Sequence, residues 1–235
     1  MHDHSEHDHC EHDHSEHDQQ TSQADYRYDE TFWEERYNSQ PAIWSGRPNW
    51  VLVAEMAQAA PGTALDVGCG EGGDAIWLAQ QGWTVTAVDF STVALDRGAA
   101  RAAELDLGDR IRWVHADLNR WRPAETYDLV SCQYLHLLGD EQESLMTRLI
   151  PAVAPGGTFL YVSHAFEDHV AREHPHLVGR FVSAQRLAEL LEETQWNVLA
   201  AGTRPRPDAG EHPAGHVGDS VMKAVRAGTP RPDES

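Results

Sequence analysis

Cysteine is scarce in this 235-residue sequence: Cys10, Cys69 and Cys132 are too few and too scattered for a disulfide framework. Lysine is scarcer still. Lys223 stands alone, which leaves almost no room for chemistry built on a Schiff-base or P-loop lysine, and no Tyr-x-x-x-Lys pair occurs. No run of eighteen apolar residues exists, so no membrane span is expected. Basic residues are outnumbered, 18 against 38 acids, for a formal charge of −20. Such a surface repels nucleic-acid phosphates and anionic lipid, so the expected partners are small molecules, with no nucleic acid and no membrane. The start of the chain is acidic and His-rich, the opposite of a signal peptide, and a cytoplasmic location is expected.

What is present divides the chain in two. Residues 2–18 repeat a five-residue His-Asp-His-Ser/Cys-Glu unit carrying seven of the fifteen histidines, seven acids and no basic residue. With almost nothing apolar to bury, residues 1–25 are expected to be a disordered tail and linker when metal-free. Imidazole beside carboxylate suits Zn, Ni, Co or Cu(II). His2, His4, His7, His9, His12, His14 and His17 are therefore candidate ligands for a divalent metal ion; the competing reading is a solvated polar tail or an artificial tag. Residues 26–235, with eight tryptophans in the whole sequence, are expected to form one domain.

Within that domain, residues 26–60 suggest one or two short helices, and strands and helices alternate from residue 61 onward. Strands are expected at Ala64–Val67, Thr84–Val88, Ile111–Ala116, Tyr127–Cys132, Thr158–Ser163, Trp196–Gly202 and Ser220–Arg226. Helices are expected over 73–81, from a Ser91 cap to Leu107, over 141–154, and over 184–194 behind a Ser183 cap. A polar, His-rich segment (165–180) lies between the last two. This alternation predicts an α/β fold, a doubly wound, mostly parallel sheet with helices on both faces. Ligands bind such sheets at the carboxyl ends of the strands, beside the topological switch point.

The first strand leads into Leu65-Asp66-Val67-Gly68-Cys69-Gly70-Glu71-Gly72-Gly73. Gly68 and Gly70 allow a sharp turn and a close ligand, and the helix behind them points free N–H groups the same way. The glycines also satisfy the dinucleotide pattern Gly-x-Gly-x-x-Gly, which alone is a weak signal. Acids end three successive strands: Asp66 beside the loop, Asp89 about twenty residues on, and Asp117 after the third strand. Three carboxylates suit a ligand carrying a sulfonium and an ammonium better than a doubly negative pyrophosphate. Asp89 is placed to accept from ribose hydroxyls and Asp117 from an adenine amine.

Leu-Asp-Val-Gly-Cys-Gly-Glu-Gly together with Val88-Asp89-Phe90-Ser91 resembles the class I S-adenosylmethionine (SAM) dependent methyltransferases over roughly residues 30–226. The resemblance implies a Rossmann-like, seven-stranded sheet whose last strand is antiparallel. It also implies that Asp66, Gly68, Gly70 and Gln133 line the methionine moiety, Asp89 with Phe90 the ribose, and Asp117 with Leu118 the adenine. A looser likeness, carried by Trp33-Glu34-Glu35-Arg36-Tyr37 and Trp44-Ser45-Gly46-Arg47-Pro48-Asn49, is to the thiopurine and tellurite-resistance methyltransferases. It implies an aromatic segment, with Trp33, Tyr37 and Trp44, folded over the cofactor. Arg36 and Arg47 would meet either the cofactor carboxylate or surface acids.

The expected function is methyl transfer from SAM to a small-molecule acceptor, a thiol or metalloid among the candidates. A soft nucleophile needs little base assistance. An alcohol or phenol would need a base, for which His136 and His164 at strand ends are the catalytic candidates. Against this stand a metal-storage or metal-delivery protein whose domain binds SAM without catalysis, and an NAD(P) oxidoreductase. Cys69 and Cys132 read as buried packing residues rather than nucleophiles.

Overall fold

Runs of β-branched and aliphatic residues alternate with helices, three of them side-chain-capped, to give seven strands and six helices among the described residues. The computed structural model describes residues 30–40, 43, 45–135, 137, 139–166, 182–206 and 216–228. The His-rich tail, Trp44, His136 and most of the polar segment expected at 165–180 lie outside them. Helices α1 (Glu30–Ser39) and α2 (Trp50–Met56) precede strand β1 (Thr63–Val67). There follow α3 (Gly73–Gln80), β2 (Thr84–Asp89), α4 (Thr92–Glu104), β3 (Ile111–His115), β4 (Tyr127–Gln133), α5 (Gly139–Leu149), β5 (Val153–Phe166), α6 (Ala184–Ala188), β6 (Trp196–Arg204) and β7 (His216–Arg226).

The seven strands form one sheet in the order β3-β2-β1-β4-β5-β7-β6. Neighbours are parallel from β3 through β5, and β7 runs antiparallel to both β5 and β6. Side chains alternate between the two faces. Ala64, Val85, Leu129 and Leu160 pack under α2 and α3, while Leu65, Val67, Val130, Cys132 and Tyr161 pack under α5 and α6. Strand order reverses between β1 and β4, so the carboxyl ends of these two strands flank the crevice where the site is expected.

The capping residues act as their types predict. The Asn49 side chain accepts the Val51 N–H, Ser91 that of Ala94 and Ser183 that of Arg186. Several boundaries differ from the expectation. Helix α4 stops at Glu104 rather than Leu107, because Asp106 turns left-handed (φ 57°) and the Leu107 N–H returns to the Ala102 carbonyl. Helix α5 ends at Leu149, and a 3-10 turn over Ile150–Ala152 follows it. Val153 then pairs with Tyr127 as the start of β5, so Pro155-Gly156-Gly157 forms an irregularity within that strand instead of closing a helix. Helix α6 ends at Ala188, well short of residue 194, whereas β6 and β7 run longer because their antiparallel pairing continues through Arg204 and Asp219.

Candidate active site

The loop after β1 turns on glycines in the left-handed region, Gly68 at φ 70° and Gly70 at φ 52°, a conformation ordinary residues reach only at a cost. Its amides are then consumed by the end of β2. Gly68 and Cys69 donate to the Val88 carbonyl at 2.8 and 3.1 Å. The Gly70 N–H donates to Asp89 Oδ2 at 2.9 Å, and the Ser91 N–H to Asp89 Oδ1 at 2.9 Å. A pyrophosphate-binding loop presents free amides to its ligand. This one turns these amides inward and shows carboxylates instead, which favours a cationic ligand over a dinucleotide.

A cavity of about 270 Å³ opens over this loop. Of the residues expected to bind cofactor, Trp33, Tyr37, Arg47, Asp66, Gly68, Gly70, Asp89, Phe90 and Gln133 line it. The segment bearing Ser45 to Asn49 is strapped across its rim. The Asn49 N–H donates to Asp74 Oδ1 at 2.6 Å, Arg101 donates to the Gly46 carbonyl, and the Ile43 N–H reaches Glu71. Arg97 ties Glu71 (2.8 Å) to the carbonyls of Tyr37 and Gln40. Gly73, which also lines the cavity, makes room for this strap, since a Cβ there would lie 2.9 Å from the Arg47 carbonyl oxygen. Arg36, by contrast, is exposed and sits over the Trp33 ring at 5.7 Å.

Asp117 and Leu118 do not line the cavity. Asp117 is half-exposed, accepting the Asn119 N–H at 2.9 Å with Arg120 at 3.8 Å. Leu118 is buried in the core, and Leu135 occupies the space beside Gly68 on that side, where a Cβ on the glycine would collide with it. His164 does not line the cavity either: its ring lies 4.6 Å from that of Tyr134, which is on the wall. Cys132 is fully buried and Cys69 half-buried, and burial pushes both thiols well above their ordinary pKa, as expected of packing residues.

Reading the sequence alone did not reach several wall residues, namely Asn49, Glu71, Asp74 and Tyr134. Tyr134 takes an uncommon left-handed backbone (φ 49°) directly after β4. Its hydroxyl accepts from Arg206 Nη2 at 2.8 Å, and Arg206 Nε donates at 2.8 Å to the buried Asp219. Trp50 Nε1 donates to the other Asp219 oxygen at 2.7 Å, so β7 anchors both α2 and the cavity wall. Burial, with Asp219 nearby, raises the Tyr134 phenol, which is therefore a neutral wall group and not a base.

The carboxylates are the main electrostatic feature. Asp66 is 2% exposed and its pKa is raised well above normal, first by burial and then by Asp74 and Asp89. Burial also raises Asp89, against the two N–H groups that hold it ionised, and lifts Asp74 to about 6. Among the described residues, Asp66 Oδ2 and Gln133 Oε1 are buried without a hydrogen-bond partner. Unsatisfied buried acceptors are rare, and a pair on one cavity wall marks a place for a donor.

Sheet order and loop chemistry define a class of protein, and comparison with known proteins agrees. Residues 64–157 match the family described as a methyltransferase domain, and in strand order and loop the chain is similar to the class I SAM-dependent methyltransferases. The mitochondrial ubiquinone biosynthesis O-methyltransferase of Schizosaccharomyces pombe is 28% identical over 148 residues, 56% of this chain and 54% of that protein. A probable thiol methyltransferase of Arabidopsis thaliana is 29% identical over 101 residues, 42% of this chain and 45% of that protein. The chain thus spans about half the length of these relatives. A solved structure concerned with conversion of a disulfide bond into a thioacetal group during echinomycin biosynthesis shares the fold at a TM-score of 0.62 and 24% identity. The match covers 83% of this chain and 91% of that one. No helix of the described residues is long and apolar enough to cross a membrane, and no cluster of three potential metal ligands occurs among them.

Proposed function

We propose that the protein transfers a methyl group from SAM to a small-molecule acceptor with a soft nucleophile, a thiol or a reduced metalloid, and that its N-terminal tail binds a divalent metal ion such as Zn, Ni, Co or Cu(II). The pair of buried, unpartnered acceptors, Asp66 Oδ2 and Gln133 Oε1, beside a carboxylate-lined loop carries the reading, because it fits the ammonium end of SAM. Asp89 would hold the ribose through carboxylate lone pairs not used by Gly70 and Ser91, with Phe90 beside it. Trp33 and Tyr37 would cover the ligand, and Arg47, the one basic residue among the described residues of the lining, would meet its carboxylate. Asp117 and Leu118 would receive the adenine once Leu135 swings aside.

Bound SAM supplies an electrophilic methyl carbon already activated by its sulfonium. The protein's own work is then alignment and exclusion of water. The described wall offers the Tyr134 phenol and the Cys69 thiol, both pushed by burial well above their ordinary pKa, and it presents no histidine base. The thiol methyltransferase likeness points to an acceptor that brings its own reactive lone pair. Calorimetric titration with SAM and then NADH tests the donor. Micromolar SAM affinity with no NADH binding is expected, and a screen of thiols and metalloid oxyanions under reducing conditions should then yield a methylated product. Absence of SAM binding would overturn the assignment.

A further inference from the structure

Four acids line the cavity, and they are unequally compensated. Glu71 is neutralised by Arg97 at 2.8 Å, and Asp89 holds two backbone N–H groups. Asp66 has a buried oxygen with no partner. Asp74, in the first turn of α3, accepts only the Asn49 N–H through Oδ1 among the described residues. Against these stands one cation among the described lining residues, Arg47, and it is exposed. The cavity therefore holds more acids than groups to compensate them, and Asp66 and Asp74 are the least compensated.

We propose that Asp74, paired with Asp66, is a specificity residue of the donor pocket that reads positive charge, so that the cationic sulfonium is bound in preference to the neutral thioether left after methyl transfer. The inference rests on the SAM reading above. SAM carries one more positive charge than S-adenosylhomocysteine (SAH), and the two are otherwise nearly identical. At protein-like effective dielectric, a unit charge several ångströms from a carboxylate is worth roughly a ten- to fiftyfold change in affinity. The unpartnered Asp66 and Gln133 oxygens on the same wall show that the region is built for a ligand. An acid serving only the α3 terminus and the Asn49 N–H would give no reason for charge selectivity.

The test is isothermal titration of the full chain with SAM, SAH and 5′-methylthioadenosine, which lacks both the sulfonium and the amino-acid end. In the wild type SAM should bind more tightly than SAH. Asp74→Asn keeps an acceptor for the Asn49 N–H while removing the charge. It should weaken SAM about tenfold or more, weaken SAH less, and leave methylthioadenosine within about twofold. Asp74→Ser, which also keeps a short oxygen at the helix start, should behave alike and guards against a folding defect in the first variant. Equal weakening of all three ligands, or unchanged SAM affinity, would overturn the proposal by reducing Asp74 to a structural role. A wild type that binds none of the three would instead sink the SAM reading itself.

Discussion

Asp89 carries two loads in one side chain. Its oxygens close the glycine loop through Gly70 and start α4 through Ser91, and the same carboxylate faces the cavity. Asp89→Ala would leave two buried N–H groups unsatisfied, at about 1–3 kcal/mol each. Both the melting temperature and SAM affinity should fall, the latter by about thirtyfold or more; unchanged affinity in calorimetry would remove Asp89 from the site. Asp74 behaves differently because its pKa is raised to about 6 from an ordinary 3.8. A raised carboxyl favours the folded apo protein below the unfolded value, and that contribution is lost as pH rises through about 6. SAM prefers the ionised form, so its affinity should climb through the same window. Thermal melts with and without SAM between about pH 4.5 and 7.5 check this: the SAM-dependent increment should grow with pH and grow less in Asp74→Asn. An increment flat with pH in the wild type would sink the idea. Asp66, Asp89 and Gln133 were legible in the sequence because each stands at or one residue before the carboxyl end of a strand of a parallel sheet. Asp74 was not, since an acid in a first helical turn reads as ordinary helix chemistry.

At the scale of elements, the wall of the cavity depends on strands remote from it. Asp219 on β7 is fully buried and holds Arg206, which holds Tyr134, and its other oxygen holds Trp50 on α2. Removing one partner of a buried pair strands the other charge, so Asp219→Ala should destabilise the fold by about 3–5 kcal/mol in chemical denaturation. A loss under about 1 kcal/mol would mean that the linkage carries little of the structure. Tyr134 shows why such a wall is hard to read from sequence: its partner lies 72 residues downstream and its left-handed backbone gives no local signal. The strands themselves were legible, because β-branched runs bounded by turn residues specify them locally. Their limits were less so. Val153 continues the apolar spacing of Leu145 and Leu149, yet sheet pairing with Tyr127 claims it for β5. Helical periodicity yields to a backbone partner that local sequence does not reveal.

Across the whole molecule, the charge surplus and the tail are features of one acidic chain. The tail repeat holds seven of the 38 acids and seven of the 15 histidines, while the α/β domain carries the cavity on its own elements. If metal binding and methyl transfer are separate tasks, deleting residues 2–18 should leave SAM affinity and turnover within about twofold, a shift of less than about 0.5 kcal/mol. The same deletion should abolish binding of Zn or Ni in the low-micromolar range. The intact chain should release its metal as pH falls through about 6.5, where free imidazoles gain a proton and cease to be ligands. Equilibrium dialysis with Zn at about pH 7.5 and 5.5, on the intact and shortened chains, reads both outcomes. Binding that survives the deletion would move the metal site into the domain, against the absence of a ligand cluster among its described residues. Turnover lost with the tail, SAM affinity being kept, would join the two tasks and make the bound metal or a metalloid carried by the tail part of acceptor delivery.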